Sequence, residues 1–189
     1  MKKIILASGS PRRKELLAQI GLDFEVIVSD AKEVMTSTHP GKVVKELSGC
    51  KAMAVALMLN EDQKDAVVIG ADTVVAQDDR ILGKPKDEED AFQMLHMLQG
   101  QTHQVYTGVT LISGEKKVSF YEKSDVSVYP ITDDEIWEYI HTGEPMDKAG
   151  AYGIQGYFAK YIREIRGEYT TIVGLSLGRL WHELTKFMR

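Results

Sequence analysis

Apolar residues fall in short unbroken runs early in the chain, separated by stretches where they recur at helical spacing. Residues 2–7 carry Ile4, Ile5, Leu6 and Ala7 and end at Ser8-Gly9-Ser10-Pro11, the pattern of a buried strand feeding a turn. Pro11 suits the first position of a helix, whose apolar face holds Leu16, Leu17 and Ile20 before Gly21 stops it. A second strand is expected over residues 24–28. Polar residues 29–41 then lead to a helix over 42–59, with Val43, Val44, Leu47, Met53 and Leu57 on its face and Gly49 weakening or breaking it midway.

The most apolar segment is 66–76, interrupted only by Gly70, Asp72 and Thr73. Lack of polar alternation predicts burial on both faces, the habit of a central strand. Gly83-Lys84-Pro85 turns the chain into a helix over 87–99, whose first turn is acidic and suits the helix dipole. Strands over 104–112 and 118–129 join at Ser113-Gly114-Glu115, and Thr132 with Glu135 has capping-box spacing for a helix to 142. A Gly-punctuated loop over 144–156, a strand over 158–165 and a helix over 175–187 complete the chain. Met53, Met58, Met94 and Met97 read as core filler. The prediction is α/β: one domain over residues 1–189, with a mixed central sheet, flanking helices and two lobes around a cleft.

At 43% hydrophobic, 189 residues suffice for a sizeable core. Lys and Arg number 23 against 28 Asp and Glu, a net charge of −5, which provides no global basic field for duplex nucleic acid. Any anion must be gripped by a local cluster. Cys50 is the single cysteine, so no intrachain disulfide can form. The first apolar run is too short for a signal peptide, and no run approaches a membrane span. A soluble, cytoplasmic protein without a membrane partner is expected.

Two arginines, Arg12 and Arg13, stand in the first turn of the first helix, where cations oppose the dipole. A bound phosphate would turn the N–H groups and both guanidinium forks into an anion cradle, and removing either arginine should then leave stability unchanged or improved. A solvated basic patch is the plain alternative. Asp72, a carboxylate inside a buried strand, must be paired, hydrogen-bonded, metal-bound or neutral. Lys51, Lys84 and Lys148 are each ambiguous alone, with Lys84 set in a turn fixed by Gly83 and Pro85. The run Asp147-Lys148-Ala149-Gly150-Ala151-Tyr152-Gly153-Ile154-Gln155-Gly156 lets backbone approach a ligand, and the Gln155 amide offers donor and acceptor to a base edge. His39, His96, His103, His141 and His182 have no metal-ligand spacing, and the phosphate-loop, dinucleotide and nucleophile-elbow motifs are absent from the sequence.

Together, Ser8-Gly9-Ser10-Pro11-Arg12-Arg13, Lys51-Ala52, Gly70-Ala71-Asp72-Thr73, Gly83-Lys84-Pro85 and the 147–156 run resemble the Maf family of nucleoside triphosphate pyrophosphatases, over residues 4–177. The resemblance implies a fold like that of the inosine triphosphatases and release of a monophosphate and pyrophosphate. It places the metal-dependent aspartate on Asp72 and an early acidic metal residue on Glu33, with Mg²⁺ or Mn²⁺ as cofactor. It places substrate contacts on Ser8, Ser10, Arg12, Arg13, Lys51, Thr73, Lys84 and Gln155. Arg12, Thr73 and Gln155 resemble the branch that hydrolyses dTTP and UTP. The family usually has proline where Ser176 stands, so the late turn lacks that constraint. A nucleotide-binding regulator of septum formation without turnover and a purine-directed triphosphatase are the rival readings, and a homodimer is left open.

Overall fold

The long apolar run folds as β3 (Val67–Gln77), parallel to β1 (Ile4–Leu6) on one side and antiparallel to β5 (Thr102–Ser113) on the other. The computed structural model describes residues 2–28, 30 and 34–188. Among these, seven strands form one mixed sheet in the order β2 (Glu25–Val26), β1, β3, β5, β6 (Lys116–Val128) and β7 (Ile162–Arg166), with β4 (Arg80–Leu82) paired to β3. The α/β architecture with a mixed central sheet is thus as expected. No helix among the described residues is long and apolar enough to cross a membrane.

Alternation along β3 sorts its side chains between two faces. Val67, Ile69, Ala71 and Val75 join the main core, to which α1 (Pro11–Gln19), α3 (Glu88–Leu98), α4 (Asp133–Ile140), α5 (Tyr169–Val173) and α6 (Leu177–Phe187) all contribute. Val68, Val74 and Ala76 face the other way, toward apolar residues of α2 (Pro40–Met58). This helix lies almost on the sheet backbone. A Cβ on Gly70 would overlap the Ser48 carbonyl oxygen and sit 2.8 Å from Ala52 N, and one on Gly108 would overlap Val44 O. The Ser48 and Thr110 hydroxyls lie 2.9 Å apart at the same contact.

Because of that approach, α2 departs from the expected pattern. It runs unbroken through Gly49, and its buried face is Val43, Val44, Leu47, Ser48, Ala52 and Val55. Met53, Leu57 and Met58 are instead 40%, 79% and 62% exposed, since the contact with the sheet favours small side chains over bulky ones. Met94 and Met97 do pack against the main core. The strand expected over 158–165 starts only at Ile162; Tyr157–Tyr161 is a 3-10 turn, which buries Phe158 and Tyr161 three residues apart. The sequence reading lacked β4, which follows a tight turn with Asp78 and Asp79 at φ of 47° and 63°. The capping box of Thr132 and Glu135 is present.

His103, on β5, is fully buried, with Nε2 2.8 Å from the Tyr152 hydroxyl and no partner for Nδ1 among the described residues. Burial pulls its pKa down to about 4. Between that value and the unfolded value near 6.5, the unfolded chain binds the extra proton, so stability falls as pH drops through this window. From pH 7 to pH 5 the loss should be on the order of 2 kcal/mol. Urea midpoints at the two pH values should show it in the native chain and a smaller loss in His103→Gln; equal losses would contradict a neutral buried imidazole.

Candidate active site

A cleft of about 820 Å³ opens where β3, the turn after β4, the N-terminus of α1 and the 144–156 loop converge. Ser10, Arg12, Arg13, Lys51, Asp72, Thr73, Lys84 and Gln155 all line it. Ser8 is buried behind the cleft lining, and its hydroxyl accepts from Arg13 Nη1 at 3.1 Å and from the Ser10 N–H at 3.3 Å. Glu33 lies outside the described residues.

Asp72 follows Gly70 by two positions and so points to the same face, under α2. Lys51 lies one helical turn beyond Leu47 and Ser48, and its ammonium donates to Asp72 Oδ1. With side chains 23% and 12% exposed, the pair forms part of the cleft wall. Among the described residues no three His, Cys, Asp or Glu side chains are grouped to hold a metal. The Asp72 carboxylate offers one hard-oxygen donor, and phosphate oxygens of a substrate could complete the shell, the mode in which Mg²⁺ is often held.

The two arginines divide their work. Arg13 is held by the protein: Nε donates to the Gly174 carbonyl at 2.8 Å, Nη1 to Ser8 and Nη2 to Thr73 Oγ1 at 3.3 Å. Burial pushes its pKa down, opposed by the Asp72 carboxylate. Arg12 makes no hydrogen bond among the described residues, and its charge helps hold Asp147 below the ordinary carboxylate range, after the larger effect of Lys148. Ser10 occupies the N-cap position of α1, yet its side chain makes no capping bond.

The expectation that either arginine could be removed without loss of stability is therefore kept for Arg12 and revised for Arg13. Arg12→Ala should weaken triphosphate binding and leave the urea midpoint unchanged. Arg13→Ala should also lower stability by about 3 kcal/mol, because it strands partners of charge-assisted hydrogen bonds. Equal midpoints for the two variants would refute this division.

Behind Thr73 runs a chain of hydroxyls. Thr73 and Thr107 Oγ1 lie 2.7 Å apart, and Thr107 Oγ1 donates to the Thr171 carbonyl at 2.7 Å. Thr171 Oγ1 in turn lies 2.8 Å from Ser176 Oγ. The turn at Ser176 is braced further by Leu177 N–H donating to Thr170 Oγ1 at 3.2 Å and Gly178 N–H to Glu168 Oε1 at 2.7 Å. Hydrogen bonds thus restrain the turn at Ser176, where the resemblance leads one to expect proline.

On the opposite wall, Gly150 N–H donates to Gly83 O at 3.0 Å and ties the 144–156 loop to the turn that carries Lys84. Gln155 is exposed at the cleft, its amide making no hydrogen bond among the described residues. Glu144 and Asp147 also line the cleft and were not among the candidates from sequence; Lys148 was weighed there without being chosen. No local signal separates Glu144 from other loop carboxylates, for its partners come from outside its own turn.

The chain is similar to known proteins over nearly its whole length. A dTTP/UTP pyrophosphatase of Agathobacter rectalis is 54% identical, over 98% of this chain and 98% of its own. One of Bacillus cytotoxicus is 51% identical, over 99% and 96%. A solved nucleoside-triphosphatase (dITP/XTP pyrophosphatase) from Mycobacterium abscessus covers 99% of this chain and 96% of its own at 16% identity and a TM-score of 0.44, too slight a likeness to carry weight. The family model described as Maf-like protein matches residues 3–187, and so every residue that lines the cleft falls within a match that spans the fold: the chain belongs to the Maf-like protein family.

Proposed function

We propose that this chain is a nucleoside triphosphate pyrophosphatase acting on dTTP and UTP. One observation carries the reading: a single cleft combines Arg12, Lys51 and Lys84, the Asp72 carboxylate and the Gln155 amide, in a chain whose relatives at about half identity bear that activity in their names. Water adds across the anhydride between the α and β phosphates, giving the nucleoside monophosphate, pyrophosphate and one proton. Lys84 and Arg12 offset triphosphate charge, Lys51 orients Asp72, and Asp72 accepts the proton of the attacking water or holds a divalent metal. Mg²⁺ or Mn²⁺, bound by Asp72 and the phosphates, would polarise phosphoryl oxygens and acidify a coordinated water. Glu33 is a second proposed ligand for it.

Gln155 faces the base. Uracil and thymine present an N3–H donor between carbonyl acceptors, which an amide complements. The ratio of kcat/KM should favour dTTP and UTP over dATP and dGTP by at least ~10²-fold, and Gln155→Glu should erode it, because a carboxylate cannot donate to a carbonyl. Incubating the purified chain with each triphosphate and Mg²⁺ or Mn²⁺, then identifying pyrophosphate or orthophosphate, decides the matter. Preference for purines would overturn the base assignment, and binding without turnover would favour a regulatory protein.

A further inference from the structure

The loop that carries Gln155 is folded around one carboxylate. Glu144 Oε1 accepts from the Tyr139 hydroxyl at 2.8 Å, and Oε2 accepts from the Tyr157 N–H at 2.9 Å. The Tyr139 oxygen in turn accepts from the Gly153 N–H at 3.1 Å. Backbone groups two residues before and two after Gln155 thus end on the same Tyr–Glu pair. Tyr139 is itself fixed by the core: it is buried on α4, with its ring 5.0 Å from that of Phe158. The wrap is tight on both sides of Gln155. A Cβ on Gly156 would overlap the Glu144 carboxylate, and one on Gly153 would lie 3.0 Å from Oε1 and 2.8 Å from Lys148 Cε.

A side-chain amide can rotate to match either uracil or cytosine, so it tells a pyrimidine from a purine by where it stands, and that is set by the backbone that carries it. Gln155 has no side-chain partner of its own among the described residues. Its placement is inherited from the clamp, and both Glu144 oxygens are already engaged by donors of this loop and of α4.

We infer that Glu144, acting with Tyr139 through the N–H groups of Gly153 and Tyr157, is a positioning residue that sets the base selectivity of the cleft. The inference rests on the reading of the chain as a nucleoside triphosphate pyrophosphatase.

The test compares equilibrium binding of the α,β-imido analogues of dUTP and dGTP. Glu144→Ala should lower the dUTP-over-dGTP affinity ratio by about tenfold or more, mainly by weakening the dUTP analogue. Glu144→Gln should restore most of the ratio, since it can accept from Tyr157 N–H and donate to the Tyr139 oxygen. Tyr139→Phe keeps the ring packing and should reproduce the Glu144→Ala loss, deciding the matter if the alanine variant does not fold. Gly156→Ala should act like Glu144→Ala in the native chain, yet add less than about twofold to it in the double variant, where the overlapping carboxylate is gone. Variants that keep the native ratio, or lose affinity equally for both analogues, overturn the clamp. A native chain without preference between the analogues overturns it too. Failure of the pyrophosphatase reading shows separately, as absence of pyrophosphate release from dTTP.

Discussion

Asp72→Asn should lower dTTP turnover by about 10²-fold or more, the scale of loss for a positioned general base or metal ligand. Both roles need the negative charge, and Asn removes the charge while keeping nearly the same shape. The fold should survive. Asp72 is bounded by the cleft on one side and Lys51 on the other, and an amide oxygen can still accept from that ammonium. The measurement is steady-state hydrolysis at saturating dTTP and Mg²⁺, beside a urea midpoint for each chain. Near-native turnover in a folded Asp72→Asn protein would remove Asp72 from the chemistry.

Two glycines on either side of one interface should respond to the same substitution with opposite signs. Gly70→Ala drives a methyl into the Ser48 carbonyl and Ala52 N of α2, backbone atoms that cannot turn aside. Overpacking of this kind should cost roughly 3 kcal/mol, and it lifts the turn of α2 that presents Lys51 to Asp72, so activity falls as well. Gly49→Ala, on the helix itself, meets nothing closer than Thr110 Oγ1 at 3.8 Å. There the methyl should stabilise by about 0.5–1 kcal/mol, through helix propensity and a less flexible unfolded chain. Urea midpoints that move in the same direction would show that the close approach of α2 does not govern this interface.

That interface also explains what the sequence could and could not reveal. β3 was legible because an unbroken apolar run has few alternatives to a central strand, and Asp72 was legible as the misfit within it. The buried face of α2 was not, because apolar bulk alone selected Met53 and Leu57, whereas the spacing to the sheet is set by Gly70 and Gly108, which belong to other elements. Phe158 and Tyr161 looked like strand residues because aromatic content carries no period of its own. Arg12 and Arg13 are indistinguishable as neighbours in sequence; the Gly174 carbonyl and the Thr73 hydroxyl, both distant along the chain, join Ser8 in making one of them structural. Glu144 stayed hidden for the same reason, since a loop carboxylate acquires meaning from the tyrosine and the amides that converge on it.

The hydroxyl chain behind Thr73 gives the cleft a fixed polarity. A carbonyl has no proton to offer, so the proton of Thr107 is committed to Thr171 O. Thr73 must then be the donor toward Thr107, and the proton of Thr73 points away from any ligand. What remains on its oxygen is lone-pair density, part of which already receives Arg13 Nη2. A ligand atom that approaches Thr73 is met by an acceptor and has to bring an N–H or O–H of its own; a carbonyl or phosphoryl oxygen in that position would face repulsion. A backbone carbonyl of α5, outside the cleft, thereby dictates which half of a hydrogen bond one wall of the cleft can make.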